Sequence, residues 1–318
     1  MFRPKCVSII IRALNEAKHV GRLLKGIQSQ SIAIPVQTIL VDSGSTDNTV
    51  KIARSYDCKI VHIRPEDFSF GRAINVGVEA AEGEVCLLIS AHCFPQDEMW
   101  LERMIQPFED QDVGLVFGKQ RGVQSTKFSE HAIFAKWFPS HDVHKTTFPF
   151  CNNANSALRK SLWLQHRFDE VLTGLEDIAW AKTIIEKGFV VSYQHQASVY
   201  HVHEESYRTV YRRYYREALA YRRIFHNQHF HFGHFLKYFS LNIFGDTMMA
   251  IKQKCFFREV SSIVKFRFMQ FWGTYRGYGY RVPVSADMAQ RMYYPRHPRR
   301  IFQEQEDLCV APPTPGKR

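Results

Sequence analysis

The sequence predicts an α/β protein with a mostly parallel central sheet, flanking helices and a helical C-terminal extension rich in basic and aromatic residues. The first half alternates short β-branched runs with helical patterns, which is typical of parallel strands joined by crossover helices. After Ser206 the composition changes, and YRTVYRRYYREALAYRRIF combines helical propensity with arginine and tyrosine. We therefore expect a core domain over residues 1–205 and an extension over residues 206–318 that ends in a flexible Pro-rich tail, APPTPGKR.

The elements of the first half follow one another regularly. CVSIIIRAL is a strand, and NEAKHVGRLLKGIQSQ is a helix because its apolar residues recur at helical spacing, with Asn15 as a cap. VQTILVDSG is the second strand, the helix in STDNTVKIARSY begins with capping residues, and CKIVHI is the third strand. GRAINVGVEAAEG is a helix that Gly83 ends, and the apolar run EVCLLIS is a central strand.

The pattern from about residue 120 to about residue 160 is loop-like. LEDIAWAKTIIEKG then predicts a helix, and FVVSYQ predicts a strand.

Composition and charge narrow the function. The chain has 318 residues, 45% of them hydrophobic, and a formal net charge of +11, which favours binding to nucleotides, nucleic acids or anionic lipids. No apolar run is long enough to cross a bilayer, so we expect any membrane contact to be peripheral. The seven scattered cysteines form no CxxC pair, which favours a reducing cytoplasm. We expect the protein in the cytoplasm, including the inner face of the cell membrane.

Polar residues follow the predicted strands at positions suited to a ligand site. Ligands of open parallel sheets bind at the carboxyl ends of the strands. Arg12 and Glu16 follow the first strand, Asp42 ends the second, and Ser90 and His92 follow the fourth. Turn and capping roles are the alternative for the DSGSTD segment.

Taken together, several motifs resemble family 2 glycosyltransferases. The matching stretches run from about Val7 to Tyr215 and are VSIIIRALNEAKHVGRLLKGI, ILVDSGSTDNTVKIA, AINVGVEAAEGEVCLLISAH and GLEDIAWAKTIIEKG. The resemblance implies the Rossmann-like GT-A fold, with nucleotide-sugar binding and catalysis in residues 1–205. It also implies inverting sugar transfer to a surface polysaccharide or a lipid-linked saccharide. The opening motif and VYHVHEESYRTVYRR are more similar to the rhamnosyltransferase branch than to cellulose or chitin synthases.

The resemblance assigns a set of residues to the nucleotide. Asp42 would accept the N3 proton of uracil or thymine, which favours a UDP- or dTDP-sugar over a CMP-sugar. Glu16, with Arg12 beside it, would lie near the ribose and base. Arg72 and Asn75 occupy positions of nucleotide-side contacts, and surface solvation or helix capping is the alternative for both.

The fourth strand ends in an unusual triplet. The family places a DxD motif there, and its last aspartate holds a divalent metal, whereas this chain has Ser90, Ala91 and His92. Three interpretations remain open for His92: a ligand favouring Mn²⁺ or another borderline cation over Mg²⁺, a direct donor to the diphosphate, or a remnant in a fold that has lost activity. Dependence on a metal, Mn²⁺ or Mg²⁺, is therefore left open.

The second acidic motif is intact. Glu176 and Asp177 begin a predicted helix, and the resemblance makes Asp177 the catalytic base that takes the acceptor hydroxyl proton. The alternative is that both acids only complement the helix dipole.

Further candidates lie on either side of that motif. Asn153, Asn155 and Ser156 fall in a segment that resembles the family's sugar- and acceptor-binding region. His201 and His203 alternate along an extended segment and are candidates for contacting metal or phosphate.

The basic, aromatic extension has three interpretations, which are a cover for the active site, peripheral contact with an anionic membrane, and a nucleic-acid surface. We favour the membrane and expect no nucleic acid. The alternative to an enzyme is a catalytically silent nucleotide-sugar-binding or scaffolding subunit of a polysaccharide assembly, which the missing DxD would explain.

Overall fold

A mixed β-sheet lies at the centre of the computed structural model, which describes residues 2–280 and 292–293. The strands are β1 (Val7–Ala13), β2 (Val36–Asp42), β3 (Lys59–His62), β4 (Val85–Ser90), β5 (Cys93–Pro95), β6 (Val113–Gly122), β7 (Val143–Thr146), β8 (Asn155–Arg159) and β9 (Val190–His201). Their order is β3-β2-β1-β4-β8-β6-β9-β5, and β7 also pairs with β9.

Helices cover both faces of this sheet. They are α1 (Val20–Gln28), α2 (Thr49–Arg54), α3 (Phe70–Glu79), α4 (Trp100–Ile105), α5 (Phe128–Trp137), α6 (Lys160–Gln165), α7 (Glu176–Glu186), α8 (Tyr207–Ile224), α9 (Phe232–Lys252) and α10 (Phe256–Gly279). Strands β1 to β4 pair in parallel, whereas β8 runs antiparallel to both β4 and β6. The predicted α/β class is confirmed, with a sheet that is parallel in its first half and mixed in its second.

The central strands are apolar because both of their faces are covered. Val7, Ile9 and Ile11 of β1 point into one hydrophobic cluster, and Ile10 points into another on the opposite face. Helix α1 buries its apolar stripe against the first cluster, as its helical spacing predicted.

Two local predictions in the first half were wrong. Helix α1 begins at Val20 and not near Asn15, which has a left-handed backbone (φ 55°) and accepts a hydrogen bond from the Thr46 amide. Helix α3 ends at Glu79, before Gly83. Gly83 has a different purpose, because a Cβ there would lie 2.4 Å from the Ser8 amide nitrogen.

The stretch predicted as loop-like contains regular structure. It includes the end of β6, helix α5 and the strands β7 and β8. Helix α5 contacts β6 on one side and α9 and α10 on another, so its apolar residues form no single stripe that a helical period would reveal.

Helices α8 to α10 form the described part of the predicted extension. Gly273 and Gly277 of α10 pack against the carbonyl groups of Tyr211 and Tyr215 in α8, where a Cβ on either glycine would come within 2.5 Å of a carbonyl oxygen. None of the described helices combines the length and apolar character needed to span a bilayer.

The chain divides into one compact unit over Met1–Arg281 and a second over Val282–Arg318. The boundary predicted between residues 205 and 206 stays a prediction. The Pro-rich tail lies outside the described residues.

Candidate active site

Strand pairing gathers the predicted polar residues at one edge of the sheet. Arg12 lies beside both Val41 and Ser90, so the carboxyl ends of β1, β2 and β4 meet there. His92 follows directly, and His201 pairs with Cys93 across β5 and β9. His201, from the second half of the chain, therefore lies at the same sheet edge as the polar residues of the first half.

Three histidine rings meet at this edge. His92, His201 and His203 each offer one nitrogen, and these nitrogens lie within 4.8 Å of one another. Nε2 of His201 lies 2.8 Å from Nε2 of His203, and the rings of His92 and His201 stack with centroids 5.1 Å apart. Such a cluster is able to hold a metal ion.

Each ring is oriented through its Nδ1 atom. That atom lies 2.7 Å from Oε1 of Glu16 in His92, from Oε1 of Gln120 in His201 and from Oε1 of Glu130 in His203. Burial, followed by the neighbouring His203 and His92, lowers the pKa of His201 well below its usual value. His201 is therefore neutral at physiological pH.

Glu130 links the cluster to helix α8. Its Oε1 accepts hydrogen bonds from His203 and, at 2.6 Å, from Nη2 of Arg213. Burial alone would raise the pKa of Glu130, but the hydrogen bond from His203 and the Arg213 charge lower it to about 2. Glu130, His203 and Glu205 also form a candidate metal group. The guanidinium of Arg213 contacts both of these carboxylates and already supplies a positive charge there.

The two acids of the ED motif have different environments. Nη1 of Arg12 lies 3.3 Å from Oε1 of Glu176, whereas Asp177 accepts hydrogen bonds from the amides of Asn153 and Ile178 at 3.2 and 2.9 Å. Burial and the adjacent Glu176 carboxylate raise the pKa of Asp177 to about 7. Asp177 thus has the pKa of a base suited to neutral pH.

The backbone before these acids is strained. Leu175, the residue that precedes α7, has a left-handed conformation (φ 56°), which is uncommon for a leucine. Leu175 and Asp177 both line the cavity described next, so the strain is located where it turns the ED motif toward open space.

A cavity of about 740 Å³ lies in front of this edge. Asp177, His201 and His203 contribute polar groups to its wall. Aromatic residues from α5 and the C-terminal helices also line it, namely Phe134, Trp137, Tyr221, Tyr238, Phe271 and Tyr278. A lining that combines titratable polar groups with aromatic side chains suits a ligand with a polar reacting group and an apolar portion.

Asp42 lies at the same edge and is almost fully buried. Its carboxylate accepts hydrogen bonds from the amides of Gly44 and Ser45 at 3.3 and 3.2 Å and lies 3.3 Å from Nδ1 of His62. Its recognition of the base stays a prediction, as do the nucleotide roles of Arg12, Glu16 and Ser90.

The structure assigns packing roles to two predicted nucleotide-side residues. Asn75 donates to Phe168 O and Glu170 Oε1 and accepts from Trp163 and the Phe168 amide, which uses all of its hydrogen-bonding capacity. These contacts favour a packing role, and its nucleotide role stays a prediction. The exposed Arg72 pairs with Glu170 at 3.3 Å.

The predicted sugar-binding residues also separate. Asn155 is fully buried; it accepts a hydrogen bond from Trp100 and donates to the carbonyls of Lys119 and Ala197, and its sugar-binding role stays a prediction. Ser156 is equally buried and donates to Asn153 Oδ1. Only Asn153 among these three touches the ED motif, where it positions both acids.

Sequence reasoning missed Gln120, Glu130 and Arg213. They come from β6, α5 and α8 and meet the histidines only in the folded chain. No signal in the sequence singled them out, because Glu130 lies in the stretch predicted as loop-like and Arg213 is one of several arginines in YRTVYRRYYREALAYRRIF.

Comparison with known protein families explains the arrangement. Residues 8–165, about half of the chain, match the family described as Glycosyl transferase family 2. The chain belongs to glycosyl transferase family 2. The family predicted from the motifs is confirmed, and with it the assignment to glycosyltransferases.

Curated relatives place this family 2 chain near the rhamnosyltransferase branch. It is 28% identical over 194 residues to the O-antigen chain rhamnosyltransferase WbaN of Salmonella anatum, covering 57% of this chain and 61% of WbaN. It is 26% identical over 223 residues to the O-antigen chain rhamnosyltransferase RfbN of Salmonella typhimurium, covering 66% of this chain and 70% of RfbN. The match therefore spans less than two thirds of WbaN.

Solved structures confirm the GT-A fold of this family 2 chain. Residues 1–349 of S. aureus TarS, in complex with UDP, align with a TM-score of 0.52 at 18% identity, covering 68% of this chain and 65% of that one. The mannosyltransferase PcManGT from Pyrobaculum calidifontis, in complex with GDP-Man and Mn²⁺, aligns with a TM-score of 0.54 at 16% identity, covering 93% and 89%. At such identities these similarities concern the fold alone.

Proposed function

We propose that this protein is an inverting glycosyltransferase that moves a sugar from a UDP- or dTDP-linked donor to a surface-polysaccharide or lipid-linked saccharide acceptor. The observation that carries the proposal is the buried Asp177 carboxylate. Its raised pKa of about 7 suits a general base, and it lines the same cavity as His201 and His203.

Asp177 would take the proton of the acceptor hydroxyl. As that proton leaves, the hydroxyl oxygen bonds to the anomeric carbon of the donor sugar, and the bond from this carbon to the diphosphate breaks. The nucleoside diphosphate departs on the opposite side, so the configuration inverts. The backbone amide of Asn153 holds Asp177 in place by a hydrogen bond. Arg12 lies 3.3 Å from Glu176 and neutralises it, so the proton would go to Asp177, which is not paired with Arg12.

The donor would lie across the strand ends, with its base near Asp42 and its diphosphate near His92. The family implies a divalent cation, and His92, His201 and His203 fit one because their nitrogens converge. When bound, this cation would offset the charge that develops on the leaving diphosphate.

The acceptor would occupy the cavity next to Asp177. Its aromatic wall suits stacking on sugar rings or contact with a lipid carrier. WbaN and RfbN are O-antigen chain rhamnosyltransferases by name, which supports a deoxyhexose such as rhamnose and a polysaccharide acceptor for this chain.

Helix α9 supports peripheral contact with an anionic membrane at the inner face of the cell. On this helix the side chains of Leu236, Phe244 and Met248 are about half exposed or more, at 47%, 66% and 50%. The exposed Lys237 and Lys252 lie on the same helix, so α9 combines exposed apolar side chains with positive charge.

The catalytically silent subunit is the second candidate. The absence of both DxD carboxylates from Ser90-Ala91-His92 favours it. A thermal-shift panel with UDP, dTDP, GDP and CMP, each with Mn²⁺, Mg²⁺ or EDTA, separates donor classes. We expect UDP or dTDP to stabilise the protein by about 3 kcal/mol at 100 times its dissociation constant.

Transfer of a radiolabelled sugar then tests for an enzyme. Stabilisation by a nucleotide without any transfer or donor hydrolysis would favour the silent subunit. No response to any nucleotide would contradict the enzyme and the nucleotide-sugar-binding subunit, and would favour a scaffolding subunit.

A further inference from the structure

The hydrogen bonds around the histidine cluster define which ring nitrogens carry hydrogen. The ionised Glu130 carboxylate can only accept, so Nδ1 of His203, 2.7 Å away, carries the hydrogen. Gln120 presents its amide oxygen to Nδ1 of His201 at 2.7 Å, so that nitrogen carries one too. In a neutral imidazole with its hydrogen on Nδ1, the remaining nitrogen, Nε2, has a lone pair.

These two lone pairs face each other. Nε2 of His201 and Nε2 of His203 lie 2.8 Å apart, and two lone pairs at that distance repel unless a positive centre lies between them. A shared proton would join two nitrogens. His92 brings a third nitrogen within 4.8 Å of the other two, however, and its Nδ1 lies 2.7 Å from Oε1 of Glu16. Three converging donors suit a metal cation better than a proton.

We propose that His92, His201 and His203 form a three-imidazole site for a transition-metal cation of the Zn²⁺, Co²⁺ and Fe²⁺ class, and that this site discriminates against Mg²⁺. The inference deepens the proposed function and rests on it for the purpose of the cation, which is to hold the donor diphosphate. Cation binding itself depends only on the ligand set.

The dimensions of the cluster fit this cation class. Zinc binds imidazole nitrogen at about 2.1 Å, so nitrogens in a tetrahedral site lie about 3.4 Å apart. The His201 and His203 nitrogens, now 2.8 Å apart, have to open by roughly half an ångström, and the most distant pair, within 4.8 Å, has to close. Three protein ligands leave the fourth position for an incoming oxygen, such as one of the diphosphate.

The selectivity follows from the chemistry of the donors. Mg²⁺ prefers oxygen ligands in octahedral geometry, whereas imidazole suits zinc, iron and related metals. The nearest carboxylates, Glu16 and Glu130, point at Nδ1 atoms and orient the rings in the way that outer hydrogen-bond partners do in metal sites. They are therefore engaged with the rings and not presented to Mg²⁺.

The test is direct metal binding, measured without nucleotide or sugar. The full chain is stripped with a chelator and titrated with Zn²⁺, Co²⁺, Mn²⁺ or Mg²⁺, with equilibrium dialysis and metal analysis as the readout. The visible absorption of bound Co²⁺ reports nitrogen ligation. We expect one equivalent of Zn²⁺ or Co²⁺ per chain, weaker binding of Mn²⁺, and affinity for Mg²⁺ at least roughly 100-fold lower.

Variants show whether these rings are the ligands. His92→Ala and His203→Ala should each lower Co²⁺ affinity by roughly 100-fold or more, and Glu16→Gln by roughly 10- to 100-fold because it loosens the His92 ring. His234→Ala is the matched control, since this ring stacks on His231 with centroids 3.7 Å apart on helix α9, outside the cluster. It should leave Co²⁺ affinity unchanged.

Three results would overturn the inference: Mg²⁺ binding as tight as Zn²⁺ binding, no measurable binding of any transition metal, or full Co²⁺ affinity in both histidine variants. The second result would mean that a proton alone bridges the rings. Tight Co²⁺ binding that is lost in the variants would support the site even in a protein without transferase activity, so failure of the proposed function is distinguishable.

Discussion

The candidate active site has an acidic half and a histidine half, and the two are built differently. The acidic half, around Glu176 and Asp177, contains its own compensating groups, because Arg12 contacts one carboxylate and backbone amides contact the other. The histidine half has three oriented rings, each of which offers a nitrogen within 4.8 Å of the other two. The first half is complete with protein atoms, and the second is arranged for an added cation.

The largest effect is expected from a substitution in the acidic half. Asp177→Asn keeps the shape of the side chain but cannot accept the hydroxyl proton, so we expect transfer to fall roughly 10²- to 10⁴-fold. Stabilisation by the donor nucleotide should stay, because the histidine half is untouched. Steady-state kinetics and thermal shift measure the two. Glu186→Gln, at the exposed far end of α7 where Glu186 pairs with Lys182, is the control and should keep wild-type turnover. Wild-type turnover in Asp177→Asn would remove this residue from the mechanism.

The next effect separates the halves by pH. Since Asp177 is active when deprotonated and its pKa is raised to about 7, the transfer rate should rise with pH through about 7. The folded state also holds this proton more tightly than the unfolded state, where the pKa is about 4. The stabilising contribution is therefore full below about pH 4 and is lost as pH rises through about 7.

Between pH 5 and pH 8, the melting temperature should accordingly fall less steeply with rising pH for Asp177→Asn than for the wild type. Equal slopes would mean that the burial of this carboxylate has no influence on stability. The two acids interact, so the apparent pKa belongs to the pair.

The smallest effect leaves both halves intact. Phe244→Ser with Met248→Ser reduces the exposed apolar surface of α9, so flotation with anionic vesicles at low salt should drop several-fold. Transfer to a water-soluble acceptor should not change. Val171→Ser is the control, since Val171 is equally exposed at 66% and lies outside the C-terminal helices. A wild-type protein that never floats would exclude the membrane surface.

Local patterns in the sequence explain why some of the site was predictable. The strand ends and the ED motif depend on short stretches, so Glu16, Asp42, His92 and Asp177 could be located from spacing and family resemblance. The packing roles of Asn75 and Asn155 could not, because a buried amide and an active-site amide look alike until their partners are known.

The rest depends on contacts distant in sequence. Glu130 lies in a stretch predicted as loop-like, and its partners are His203 and Arg213. The raised pKa of Asp177 depends on burial that the full fold supplies. A helical period or a motif gives information on residues close together along the chain. The partners of Glu130 and Asp177 are distant in sequence and meet only in the folded protein.

A single oxygen atom of Glu130, Oε1, accepts hydrogen bonds from both the His203 ring and the Arg213 guanidinium of α8. A chain shortened after residue 205 would lose that guanidinium and leave a buried negative charge facing the ring alone. The C-terminal helices thus neutralise the acid that orients His203, and an exchange of this segment between related proteins would have to carry the matching acid on α5 with it.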